Sequence, residues 1–297
     1  MFVGAMTALV TPLRGDGPDK GSRIDAPALA RLVEAQIAGG IDGLIPCGTT
    51  GEAPTLEPAE HVEVVRTVVE AAKKRVPVIA GAGSNSTAHA IHLARVAHEA
   101  GADGVLVVTP YYNKPTQDGL VRHYKAIAEA TPLPVVVYNV PGRTGVDMGV
   151  DAIARLAAES PRIVAVKEAG GSLLRMQELV RRLGDRVAVL SGDDALNYAC
   201  YAVGGRGCIS VTGNIAPQLV SRVWDACAAS YFKAGLEAQQ RLTALNEAMF
   251  VESNPIPVKA AMAMAGYCST EIRPPLYAMT GPAKEKLRAT LAEYGLI

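Results

Sequence analysis

Ile163-Val164-Ala165-Val166-Lys167-Glu168-Ala169 is a run of four apolar residues, three of them β-branched, that ends on a charged pair. Such a run reads as a strand buried on both faces, as in a parallel sheet covered by helices. A lysine at the end of that strand has no cheap surroundings there. It must pair with a carboxylate, reach a polar cavity, or shed its charge. Burial favours the neutral amine, which is a nucleophile and can form a Schiff base with a carbonyl compound. On this stretch alone the other reading stands beside it: Lys167 pairs with Glu168 or a neighbouring carboxylate and closes off the strand.

Seven similar runs lie outward from this one, at 5–10, 43–46, 76–80, 105–109, 135–140, 187–190 and 207–211. Helical patterns separate them. Asp25 is placed to cap a helix bearing Leu29, Leu32, Val33 and Ile37 on one face, stopped by Gly39-Gly40. Thr87 is read as the cap of a segment ending at Gly101, Thr116 as preceding 120–130, Ser172 as preceding 173–183, and Asn214 with Pro217 as opening 218–229. Eight strands alternating with helices predict an α/β protein, a (β/α)8 TIM barrel. The barrel takes up residues 1–230, and three helical stretches at 234–250, 256–265 and 282–294 predict a C-terminal helical bundle over 231–297. Residues 14–23, rich in Gly and Asp, read as a loop.

Composition narrows the classes. The chain has 297 residues, a formal net charge of zero, 49% hydrophobic and 20% charged residues. That balance carries no electrostatic footprint for nucleic acid or an anionic membrane surface. No apolar run approaches a transmembrane helix, and the N-terminal residues lack a basic lead-in and meet a proline early, so a signal peptide is not expected. The five cysteines are widely spaced without a C-x-x-C, which suits reduced thiols in the cytoplasm. The five histidines form no H-E-x-x-H, so no metal is expected.

Chemistry in such barrels sits where strands end at their C-terminal edge. Gly48-Thr49-Thr50-Gly51 follows the second run and offers backbone N–H groups and two hydroxyls suited to a small carboxylate. An ordinary glycine turn is the plainer reading of it. Tyr138 interrupts a valine strand and can pass protons beside a carbonyl-forming lysine, unless it is a core tyrosine bonded to the backbone. Tyr112 reads as an exposed loop aromatic, and Arg143, in a Pro/Gly loop, as either a solvated arginine or a fork for a carboxylate. Convergence of polar groups from five strand ends favours the nucleophile reading of Lys167.

Four ordered motifs, Gly48-Thr49-Thr50-Gly51-Glu52, Tyr111-Tyr112-Asn113-Lys114-Pro115, Tyr138-Asn139-Val140-Pro141-Gly142-Arg143-Thr144-Gly145 and Val166-Lys167-Glu168, closely resemble the dihydrodipicolinate synthase family. The resemblance runs from Gly4 to the C-terminus and includes Ser191-Gly192-Asp193-Asp194 and Asn254-Pro255-Ile256-Pro257-Val258-Lys259. It implies a class I aldolase without a metal cofactor that condenses pyruvate with L-aspartate 4-semialdehyde on the diaminopimelate and lysine route. It implies that Lys167 carries pyruvate as an imine, that Tyr138 is its general acid/base, and that Thr49 and Tyr112 complete a proton relay. Thr50, Gly192 and Ile209 resemble pyruvate-pocket positions, and Arg143 the residue that meets the semialdehyde carboxylate. A homotetramer is implied, with Tyr112 crossing a tight dimer. His61, Asn85 and Tyr111 match the lysine effector site of the family, whereas Ala53, Pro58 and His89 stand where lysine-sensitive members have serine, histidine and glutamate. Weak or absent lysine inhibition is therefore expected.

Two rivals remain at the level of sequence. N-acetylneuraminate lyase, or another pyruvate aldolase, shares the imine chemistry but typically has serine at the Thr49 position and lacks the Arg143-Thr144-Gly145 match. A non-catalytic pyruvate-binding barrel would not need the nucleophile.

Overall fold

The computed structural model describes residues 2–15 and 21–297. Eight parallel strands form its main sheet: β1 (Gly4–Ala8), β2 (Gly43–Ile45), β3 (Ile79–Gly81), β4 (Gly104–Val108), β5 (Val135–Asn139), β6 (Ile163–Glu168), β7 (Ala188–Ser191) and β8 (Gly207–Ser210). Their spatial order is β2-β1-β8-β7-β6-β5-β4-β3. A parallel bridge between Leu44 and Val78 joins the two ends and closes the barrel. A helix follows each strand: α1 (Ala26–Ala38), α2 (Pro58–Ala72), α3 (Thr87–Glu99), α4 (Gln117–Ala130), α5 (Val150–Glu159), α6 (Leu173–Leu183), α7 (Asn197–Ala202) and α8 (Pro217–Ala228). Then come α9 (Phe232–Arg241), α10 (Thr243–Ala248), α11 (Ile256–Met264) and α12 (Gly281–Glu293). This is the (β/α)8 barrel with C-terminal helices that the strand count predicts.

Alternation along the strands divides the core in two. Met6, Ile45, Ile79, Leu106, Val136, Ala165, Ala188, Leu190 and Ile209 fill the inside of the barrel. Leu29, Leu32, Val65, Val105, Val137, Val166 and Val189 belong to the layer between strands and helices. Phe2 closes the N-terminal end: a side chain at Gly104 would meet its ring at 2.5 Å. Access to the interior is left to the opposite, C-terminal mouth.

The helix caps follow the sequence in most places. Asp25, Thr116 and Ser172 accept from backbone N–H groups three residues on, at 3.0, 3.2 and 3.3 Å. Three expectations are corrected. Ser86, not Thr87, caps α3, and Thr87 in the first turn instead meets His123 Nδ1 at 2.9 Å. Asn214 does not open α8, which starts at Pro217 without a side-chain cap. Its Oδ1, the acceptor a cap would use, is taken by Val10 N at 3.0 Å, and its amide donates to the carbonyls of Ala8 and Val211 at 2.8 and 2.9 Å, tying β1 to the segment after β8. The stretch 234–250 is two helices, broken at the buried Leu242, whose N–H turns back to Gln239 O at 3.0 Å. In the expected loop 14–23, Leu13–Arg14 pairs antiparallel with Arg23–Ile24, and residues 16–20 lie outside the described residues.

Candidate active site

The placement of Lys167 and Tyr138 is set by strand register. Ala165 faces the barrel interior, so Lys167, two residues on, faces it too; Tyr138 follows Val136 in the same way on β5. Tyr138 and Lys167 are direct partners across the β5–β6 ladder. Lys167 Nζ lies 4.3 Å from the Tyr138 ring centroid, with the two residues 5% and 7% exposed. Gly192, after β7, makes room for the lysine: a Cβ there would stand 2.7 Å from Ala169 Cβ and 3.0 Å from Lys167 Cε. Ile209 of β8 lines the same interior.

Glu168 faces the other way, and the sequence's pairing alternative is thereby corrected. Its carboxylate, fully buried, accepts from Arg175 Nε at 2.8 Å, Gly170 N at 2.8 Å and Asn139 Nδ2 at 3.1 Å. Among the described residues no carboxylate pairs with Lys167. Adjacent residues of a strand cannot share a face, so the two charges are parted by the barrel wall. Asn139 extends the outer network to Asp147 Oδ1 at 2.9 Å and to Met148 N at 3.1 Å. Two partnered strands thus carry Tyr138 and Lys167 inside and a locked polar pair, Asn139 and Glu168, outside.

The Gly48-Thr49-Thr50-Gly51 turn is bracketed by Cys47 and Glu52, both at positive φ of 55° and 57°. Such backbone persists only where the surroundings hold it. Gly81 lies against one bracket so tightly that a Cβ would sit 1.9 Å from Cys47 O. Glu52, at the other, is a buried ion-pair partner of Lys259 and accepts from Arg273 N at 2.9 Å. Desolvation pushes the Lys259 amine down, against the pull of Glu52. Among the described residues the Thr49 and Thr50 backbone N–H groups donate to no other backbone group. Thr50 Oγ1 accepts from Asn254 Nδ2 at 3.0 Å.

Arg143 sits not in an open loop but in a helical turn, Pro141–Thr144, and donates through Nη2 to Asn254 O at 3.1 Å. Tyr112 is 88% exposed, at φ 73°, with its N–H to Thr144 O at 3.3 Å. His61 is buried and bonds Gly81 O through Nε2 at 2.8 Å. Desolvation pushes its imidazole down. Asn85 O accepts from Asn113 Nδ2 at 2.9 Å, and Tyr111 is 39% exposed. No hydrogen bond among the described residues joins His61, Asn85 and Tyr111. Lys167, Tyr138, Gly192 and Ile209 therefore share one interior, while Thr50 and Arg143 are tied to each other through Asn254.

Asn254, Lys259 and Asn139 stand in the sequence only as members of resembling motifs, with no role assigned, and Arg175, which holds Glu168, is not among the residues singled out there. The one signal for Lys259 is a cation inside Pro255-Ile256-Pro257-Val258-Lys259-Ala260-Ala261, with no local partner. All five cysteines are free, and burial raises the thiols of Cys200 and Cys208 to about 12. Among the described residues no cluster of His, Cys, Asp and Glu could hold a metal ion, and no helix is long and apolar enough to cross a membrane.

A closed (β/α)8 barrel with a buried amine and a phenol at its open mouth defines an enzyme of the barrel class that works at the C-terminal strand ends. The sequence model of the Dihydrodipicolinate synthetase family matches residues 1–294, and the chain belongs to that family. It is 52% identical over 301 residues to the 4-hydroxy-tetrahydrodipicolinate synthase of Geobacter sulfurreducens, covering all of both chains. Dihydrodipicolinate synthase from Aquifex aeolicus superposes with a TM-score of 0.96 at 43% identity, over 99% of each chain. The chloride-inhibited dihydrodipicolinate synthase of Acinetobacter baumannii, complexed with pyruvate, gives 0.96 at 44% identity over all of both chains.

Proposed function

We propose that the chain condenses pyruvate with L-aspartate 4-semialdehyde, the reaction of a 4-hydroxy-tetrahydrodipicolinate synthase, through an imine on Lys167. The observation that carries the reading is the buried Lys167, its Nζ without a carboxylate partner among the described residues and 4.3 Å from the Tyr138 ring centroid. The amine adds to the keto carbon, and the resulting carbinolamine loses water as Tyr138 supplies the proton. The imine draws electrons from the methyl group, a proton leaves, and the enamine carbon bonds to the aldehyde carbon. The amino group of the semialdehyde then attacks the imine carbon, closing the ring and returning the pair of electrons to Lys167. The protonated imine is itself the electron sink, so the scheme calls on no cofactor.

Thr50 and the Thr49 and Thr50 N–H groups, unengaged among the described residues, are the cradle for the keto-acid carboxylate, with Gly192 and Ile209 shaping the pocket. Arg143 receives the carboxylate of the semialdehyde. Thr49 and Tyr112 complete the relay, Tyr112 reaching into a neighbouring copy across a tight dimer of a homotetramer. Its 88% exposure in the single chain leaves it available for that. The cytoplasm suits such an enzyme and its free thiols.

Borohydride reduction in the presence of pyruvate is expected to add the reduced pyruvyl mass at Lys167, and Lys167→Ala to lose it. Turnover with aspartate semialdehyde, and none with sialic acid, separates the proposal from an N-acetylneuraminate lyase. Trapping without any turnover identifies a binding protein instead. Lysine is expected to inhibit weakly or not at all, because Ala53, Pro58 and His89 supply no anion for its α-amino group. A titration of activity with lysine that stays flat to millimolar concentration is the expected result.

A further inference from the structure

Asn254 lies in the segment between α10 and α11, far from the barrel strands in sequence. It is 5% exposed. Its two ends do different things. The backbone carbonyl receives the Arg143 guanidinium at 3.1 Å. The side-chain amide donates to Thr50 Oγ1 at 3.0 Å. The side-chain oxygen, Oδ1, is buried with no partner among the described residues. An unmet buried acceptor is destabilising. A site that needed only filling would be served by alanine without that cost. The chain therefore keeps the amide for its donor end.

That donor has a chemical consequence for Thr50. A hydroxyl has one hydrogen to give and two lone pairs. With one lone pair engaged by Asn254 Nδ2, the Thr50 O–H is directed away from Asn254, and among the described residues it is not given to any other group. It is thereby held as a donor, the polarity an anionic ligand requires. We propose that Asn254 is a positioning residue that fixes the Thr50 hydroxyl as a donor to the carboxylate of the keto acid. Its carbonyl holds Arg143 independently. The inference rests on the functional reading above and specifies how its carboxylate cradle is set.

The test is steady-state kinetics of the full-length enzyme at one fixed pH, with pyruvate and aspartate semialdehyde varied separately. Asn254→Ala is expected to raise pyruvate KM about tenfold, the scale of a lost hydrogen bond to a charged group. The semialdehyde KM and kcat stay within about twofold, because the backbone carbonyl that holds Arg143 survives the substitution. Asn254→Asp, nearly the same size, offers Thr50 an acceptor in place of a donor. It turns the hydroxyl away from substrate, so its pyruvate KM is expected to exceed that of Asn254→Ala. A cavity effect would give the reverse order, the smaller side chain being worse. Thr50→Val is expected to absorb the effect: Asn254→Ala added to it changes pyruvate KM no further. An unchanged pyruvate KM in Asn254→Ala, a worse alanine than aspartate, or independent effects in the double variant each overturn the proposal. Wild-type protein that fails to trap pyruvate under borohydride overturns the functional reading, and this inference with it. Trapping by wild type with an unaffected Asn254→Ala overturns this inference alone.

Discussion

Lys167 was visible as a charge at the end of an apolar run, and Tyr138 as a phenol to serve it, but whether a carboxylate pairs with the amine was not. Glu168 is adjacent in sequence and looks like the natural counter-ion. Period-two alternation sends it through the barrel wall to Arg175 at 2.8 Å, leaving the amine beside Tyr138. Gly192 shows how little tolerance this pocket has. Gly192→Ala would bring a methyl group 2.7 Å from Ala169 Cβ and 3.0 Å from Lys167 Cε. The lysine must swing aside, and a displacement of about 1 Å at a reacting atom can cost on the order of 100-fold in rate. The expected outcome is borohydride trapping slowed by about that factor, with a stability loss of about 1–3 kcal/mol from overpacking. Trapping time courses and urea denaturation measure the two. Thr50 and Arg143 were each legible as anion-binding types. That one residue, Asn254, holds both was not, because the contact to Thr50 spans 204 positions and no local pattern encodes it.

At the level of elements, strand count and order of alternation were legible because apolar runs and caps repeat. Boundaries were less so. Ser86 and Thr87 are neighbouring hydroxyls, either of which can cap, and only the backbone turn selects Ser86. Helix α2 starts with a reciprocal Glu57–Glu60 capping box and Pro58, a pattern present in the sequence but weaker than the apolar runs around it. The β5–β6 pair carries its own test. Glu168 is fully buried, and Arg175 is its sole cationic partner among the described ion pairs. Arg175→Met removes that cation and leaves a buried carboxylate uncompensated, which is expected to destabilise by about 3–5 kcal/mol. Chemical denaturation reads the loss directly. An arginine substituted at the surface, such as Arg181→Met, breaks an exposed pair and is expected to cost about 1 kcal/mol or less.

For the whole molecule, acid is the sharpest lever. His123 is 5% exposed, its Nε2 has no partner among the described residues, and burial pushes its imidazole down to about 4 from 6.5. The unfolded chain takes up this proton near pH 6.5, whereas the folded chain resists it until about pH 4. Stability is therefore full above that window and falls as the pH drops through it, by up to about 3 kcal/mol for this residue alone. His61 acts in the same direction. Denaturation midpoints between pH 7 and pH 4 are expected to decline, and His123→Gln to flatten part of the decline. No composition or periodicity shows such a group, since burial of an isolated histidine is decided only when the helices close over it.

Asn254, Lys259 and Arg273 all come from the last sixth or so of the chain, yet they grip Thr50, Arg143 and Glu52 at the barrel mouth. Ribosomes release those residues after all eight barrel strands. A polypeptide halted between Ser210 and Asn254 has all eight barrel strands and Lys167, but lacks the residues that tie Thr50, Arg143 and Glu52 in place.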